Sequence, residues 1–88
     1  MRLTDATRVL RDVGRRVAEL RRRRDLTQEA LAERAGFSLK YLQRIEAGRE
    51  NLTIRSLVRI AGLLDAQPRD LFGAPRSRKV KRGRPSRR

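Results

Sequence analysis

The chain has no cysteine, no histidine and no tryptophan among its 88 residues. Without cysteine, disulfides and thiolate metal sites are excluded, which fits a reducing cytoplasm. Without histidine, the commonest general base and the commonest metal ligand are missing. No nucleophile–base pair stands out, and the acids are scattered over helix surfaces, so no enzyme, cofactor or small-molecule ligand is expected. Phe37, Tyr41 and Phe72 are the only aromatic residues, and a chain this short has room for one small domain with a shallow core. No apolar run approaches the ~18–20 residues of a membrane span. Met1 to Asp5 lacks the apolar stretch of a signal peptide. The expectation is a cytoplasmic protein that does not bind membranes.

What the chain has in excess is positive charge. Lys and Arg number 24 against 10 acids, a net charge of +14. So much charge on a small chain points to a polyanionic partner, and arginine's planar fork suits both phosphate and guanine. The preference for arginine over lysine is also what a G+C-rich genome would produce, but that bias does not explain the excess of bases over acids. The charge is uneven. Residues 74–88 hold Arg76, Arg78, Lys79, Lys81, Arg82, Arg84, Arg87 and Arg88 with no acid.

Hydrophobic periodicity organises the rest into helices, with no strand signal and no repeat. Leu10, Val13, Val17 and Leu20 form one helical stripe over about 5–24. Thr4 or Asp5 is its candidate N-cap. Gly14 costs that helix roughly 1 kcal/mol relative to alanine, which suggests a neighbouring helix packing close. Arg21 to Arg24 suit the negative end of the helix dipole. Thr27 caps a second helix, Gln28 to Ala35, without the acidic fourth residue of a full capping box. Gly36 ends it with the left-handed conformation a bend requires, and Phe37 is expected to plug the corner. Ser38 caps a third helix, Leu39 to Ala47, with Leu42 and Ile45 inward. Thr53 caps a fourth, Ile54 to Leu64, with Leu57, Ile60, Ala61 and Leu64 inward. Pro68 suits the first position of a short fifth helix ending near Phe72.

The segment Ala35-Gly36-Phe37-Ser38 followed by Leu39-Lys40-Tyr41-Leu42-Gln43-Arg44-Ile45-Glu46 is the most informative in the chain. A tight glycine turn between two short helices, the second with a polar outer face, is the arrangement that enters a DNA major groove. Lys40 and Arg44 are one turn apart and share a face, expected to project outward and not toward the globule.

Leu26-Thr27-Gln28-Glu29-Ala30-Leu31-Ala32, Ala35-Gly36-Phe37-Ser38, Leu42-Gln43-Arg44-Ile45-Glu46-Ala47-Gly48 and Leu57-Val58-Arg59-Ile60-Ala61 together resemble the Cro/phage-repressor (XRE) helix-turn-helix family, over about sixty residues without insertion. The resemblance implies an all-α, compact five-helix, lambda-repressor-like domain over residues 10–73. Residues 1–9 extend its first helix and 74–88 form a disordered basic tail. It also implies roles. Ser38, Leu39, Lys40, Gln43 and Arg44 fall where the family faces bases. Gln28, Asn51, Thr53 and Arg55 fall where it contacts phosphates, with Tyr41 and Arg49 alongside. Arg21 and Glu46 match an internal salt bridge. Arginine on guanine is the commonest specific contact. Gln43 suits adenine or a phosphate, and Leu39 suits either a thymine methyl or plain packing. Arg22 to Arg24 are expected to be solvated.

In the tail, Lys81-Arg82-Gly83-Arg84-Pro85 resembles an AT-hook, whose arginines follow a narrow A·T minor groove. A basic arm acting only through counterion release accounts for the same residues. The expected partner is double-stranded DNA, bound by a homodimer joined through Leu63, Ala66 and Phe72 or through the N-terminal Leu3 and Val9. The functional expectation is a sequence-specific transcriptional regulator. The alternatives are an architectural, nucleoid-associated protein or an antitoxin-like autoregulator.

Overall fold

The computed structural model describes residues 5–76. Arg82, Gly83, Arg84 and Pro85, and most of the tail expected to be disordered, lie outside them. Four α-helices follow in order: α1 (Ala6–Arg23), α2 (Gln28–Ala35), α3 (Leu39–Glu46) and α4 (Ile54–Leu63). Each starts at a residue whose short oxygen-bearing side chain accepts an otherwise unpaired backbone N–H. Asp5 accepts from Thr7, Thr27 from Ala30, Ser38 from Tyr41 and Thr53 from Ser56, at 2.9–3.0 Å. The helix bounds therefore lie within a residue or so of those read from sequence.

The fifth element differs. Pro68–Phe72 is a turn of 3-10 helix and not an α-helix. Five residues between a proline and Gly73 leave no room for a second α turn, and the tighter i→i+3 pattern closes the segment instead. Asp70 accepts the Gln67 N–H at 2.9 Å and holds its start.

Helix ends show two conformations that the residue types do not announce. Gly36 takes the expected left-handed conformation, φ 74°. Asp25 and Asp65, which are not glycine, also do, each at φ 56°. Both sit just past the end of a helix in the same hydrogen-bonding pattern. Leu26 N–H donates to Arg21 O, and Ala66 N–H to Ala61 O. Aspartate is one of the few residues besides glycine that reaches this region with tolerable strain.

The core comprises Val13 and Val17 of α1, Leu31 and Ala32 of α2, Leu42 and Ile45 of α3, Leu57, Ile60 and Ala61 of α4, then Leu64 and Leu71. Leu71 is fully buried and closes the bottom of the core, while its neighbour Phe72 is 55% exposed. Phe37 packs against the core from the corner, with its ring edge-on to Tyr41 at 4.9 Å between centroids. Beyond residue 73, Pro75 is buried and the Arg76 N–H donates to Glu19 Oε2 at 2.8 Å, so the start of the tail packs back on α1.

Candidate nucleic-acid interface

The interface is built on how α3 is fixed. Leu42 and Ile45 anchor its inner face, at 0% and 1% exposure. Its C-terminal carbonyls rest on α1 at Gly14, where a Cβ would lie 2.3 Å from Ile45 O. That close approach is what the unfavourable glycine inside α1 permits. A second tie is ionic. Arg21 Nε and Nη2 donate to the two Glu46 oxygens at 2.8 and 3.0 Å, and Arg21 Nη1 donates to Leu26 O at 2.8 Å. The two side chains are only 11% and 7% exposed. This is a bidentate pair in which all three guanidinium nitrogens donate, the geometry in which a dehydrated ion pair is sustainable.

With the inner face held, the outer face is determined by helical phase. Ser38, Lys40, Gln43 and Arg44 are exposed and Leu39 is half-buried. Among the described residues the side chains of Lys40, Gln43, Asn51 and Arg55 have no hydrogen bond or ion pair within the protein. Arg49, Asn51, Thr53 and Arg55 are exposed along the loop and cap that follow α3.

Three of these side chains also make contacts within the protein that the sequence does not announce. Arg44 does not project freely. Its Nε donates to Glu50 Oε1 at 3.0 Å and its Nη2 to Arg49 O at 3.3 Å. Base contact by Arg44 therefore requires this pair to open. With side chains 53% and 25% exposed, such a pair is worth about 0.2–1 kcal/mol. Opening it is therefore a small cost against the ~1–3 kcal/mol by which a bidentate guanine contact discriminates between bases. Gln28 donates Nε2 to Glu46 Oε1 at 2.9 Å, which leaves its amide oxygen committed to neither Arg21 nor Glu46. Tyr41 is half-buried, and its hydroxyl meets Ser56 Oγ at 3.1 Å at the start of α4. Ser56 in turn meets Thr53 Oγ1 at 3.1 Å. Glu50 gives no signal in the sequence because it follows Arg44 by six residues across a helix end, where no periodicity applies.

Arg22, Arg23 and Arg24 are exposed as expected, but Arg24 is also tied down: its Nε donates to Leu64 O at 3.1 Å and its Nη2 to Asp65 Oδ2 at 3.0 Å. It satisfies a carbonyl at the C-terminal end of α4.

Removing the Glu50 charge should release Arg44 and lift a carboxylate that would repel a polyanion from the outer face of α3. Glu50→Gln is expected to tighten binding to any duplex by up to about fivefold, the equivalent of the pair's ~1 kcal/mol. Fluorescence anisotropy on matched and unrelated duplexes measures it; weaker binding would show that the pair positions Arg44 for DNA.

A four-helix fold with a glycine corner and a polar third helix can be compared with known proteins. The profile of the helix-turn-helix domain family matches residues 12–72. The chain belongs to that family. The uncharacterized HTH-type transcriptional regulator y4dJ of Sinorhizobium fredii is 46% identical over 52 residues, 59% of this chain and 68% of the relative. The immunity repressor protein of Bacillus phage phi105 is 41% identical over 61 residues, 69% of this chain. Those residues are 42% of that repressor, so the chain spans less than half its length. The master regulator for biofilm formation SinR, solved in complex with DNA, is 29% identical with a TM-score of 0.66, over 69% of this chain and 98% of that one. The Cro/phage-repressor resemblance of the sequence is therefore one of fold as well as motif. Within this helix-turn-helix protein no group of acids among the described residues could hold a metal ion. No described helix is long and apolar enough to cross a membrane.

Proposed function

We propose that this protein is a sequence-specific DNA-binding transcriptional regulator that lays α3 in the major groove. The observation carrying the proposal is the rigidly held outer face of α3, where Lys40 and Gln43 have no partner within the protein and Arg44 has only a weak one. Lys40, Gln43 and Arg44 read base edges, with Ser38 and Leu39 at the start of the helix. Gln28, Tyr41, Arg49, Asn51, Thr53 and Arg55 flank them on phosphates, with Gln28 aided by the N-terminal end of α2. SinR, to which the fold is similar, was solved with DNA, and the family match extends over the whole of this unit.

The protein acts as a homodimer on an inverted repeat, with half-sites one helical turn apart, ~34 Å. Ile54 and Val58, 70% and 50% exposed, stand one turn apart on α4. Phe72 on the 3-10 turn is also exposed, so α4 and that turn offer the dimer surface, while Val9 and Leu63 are partly buried against the core. Large apolar side chains left exposed on neighbouring turns of a helix are what a partner surface offers.

Selection of binding sites from random duplexes tests the reading. The expected result is an enriched palindrome. Enrichment for A·T content without a palindrome would replace it with an architectural role. On the selected site, Arg44→Ala is expected to cost about 1–3 kcal/mol, a loss of roughly 5- to 150-fold, and much less on unrelated DNA. An equal loss on both would reduce Arg44 to a phosphate contact.

A further inference from the structure

Between α1 and the C-terminal end of α3 runs an open groove lined by Arg11, Arg15, Arg22, Arg23, Arg49 and Arg76. Among the described residues none of these six side chains has an ion pair or hydrogen bond within the protein. Two acids also line the groove, Glu19 and Glu46. Both are engaged, Glu46 with Arg21 and Gln28, and Glu19 with Arg16 and the Arg76 N–H. The end of α3 points its carbonyls this way and offsets about half a unit charge. Six guanidinium groups exceed that several-fold, so neutralising a helix dipole does not account for them.

The backbone on either side of the groove is closely packed. Gly14 sits against the Ile45 and Glu46 carbonyls on one side, and a Cβ on Gly48, at φ 75°, would lie 2.8 Å from the Arg11 Cα on the other. The fold thus gathers like charges that lack partners along one groove, where a polyanion would neutralise them. Gln28 and Gln43 line the same groove, so it opens on the edge of the reading face. The chain also leaves the described domain at its rim, through Arg76, with seven more basic residues and no acid after it. Arg11 and Arg76 fall outside residues 12–72, so this feature is assembled partly by segments beyond the family match.

We infer that this groove is a second DNA-binding site. It takes the phosphodiester backbone of the duplex that α3 reads, with Arg11 and Arg15 as its principal contacts. The inference rests on the DNA-binding reading above. It adds affinity without sequence preference, because phosphate contacts position a protein but do not specify a sequence.

The test uses the full chain and two duplexes, one carrying the selected site and one unrelated. Arg11→Gln/Arg15→Gln is expected to reduce the steepness of log K against log salt by about 2, at ~0.9 for each phosphate no longer neutralised. Binding should weaken by the same factor on both duplexes, and Arg11→Lys/Arg15→Lys should restore the slope. The control is Arg59→Gln/Arg69→Gln, an equal loss of charge at exposed positions outside the groove. A slope unchanged by the groove variant, or reduced equally by the control, overturns the inference. So does a slope that the lysine variant fails to restore. Should the first variant melt early, Arg22→Gln/Arg23→Gln carries the same expectation from exposed groove positions. A wild-type protein with no site preference would defeat the regulator reading alone. A site-selective protein with an unmoved slope would defeat only the groove.

Discussion

Glu46→Ala is expected to lower the unfolding free energy by about 3–5 kcal/mol, because it strands Arg21 as a dehydrated, unpaired cation. Arg21 is 11% exposed, and two of its three hydrogen bonds to the protein end on Glu46. Its remaining bond, to Leu26 O, cannot neutralise it. Gln28 loses its partner in the same substitution, so the start of α2 loosens where phosphate contact is proposed. Small domains hold about 5–15 kcal/mol in all, and the variant should therefore be barely folded at 37 °C. Urea melts followed by circular dichroism measure the loss. A cost below about 1 kcal/mol would mean that the pair behaves as an exposed surface bridge. Removing Arg21 as well should cost less than the sum of the two single losses, since the second deletion removes the stranded charge.

Gly14→Ala is expected to destabilise by about 2–3 kcal/mol, although alanine is the better helix former by ~1 kcal/mol. The new Cβ would meet backbone oxygens, 2.3 Å from Ile45 O and 2.7 Å from Glu46 O, and neither can rotate away. The clash is relieved only if α3 moves off α1 by about 1 Å. That shift strains the Arg21–Glu46 pair and carries Lys40, Gln43 and Arg44 out of position together. The melting temperature should fall by on the order of 10 °C, and site-specific binding should suffer more than binding to unrelated DNA. Gly62→Ala on α4 serves as the control. Nothing lies within 4 Å of the added carbon there, so the propensity gain should appear unopposed. If Gly14→Ala melts at or above the wild-type temperature, the two helices do not pack as described.

Both expectations converge on one feature of the fold. The α1–α3 contact serves stability and reading at once, because α3 has only eight residues and cannot hold its own orientation. Leu42 and Ile45 fix its phase, Gly14 its depth and Glu46 its lateral position. The outer side chains are left free to bind. The weak Arg44–Glu50 pair fits this division of labour. It is exposed enough to open for about 1 kcal/mol or less, unlike the pair beneath it.

The four α-helices, their capped starts and the glycine corner are legible in the residues alone. They depend on interactions within about four residues, such as a hydroxyl reaching a backbone N–H at Ser38 or a missing Cβ at Gly36. The inward residues of α3 are legible too, since helical phase follows from the apolar spacing. Even the packing against Gly14 was foreseeable, as an unfavourable residue in a helix invites a neighbour. Everything else had to wait for the packing of distant segments. Arg44 meeting Glu50, Arg24 capping α4, Leu71 rather than Phe72 closing the core, and Arg76 returning to α1 all join segments that no periodicity connects. The arginine groove is the largest such case. Residues 11, 15, 22, 49 and 76 share a surface only because α1 and α3 cross at a glycine, and charge that seems dispersed along the chain is thereby concentrated in space.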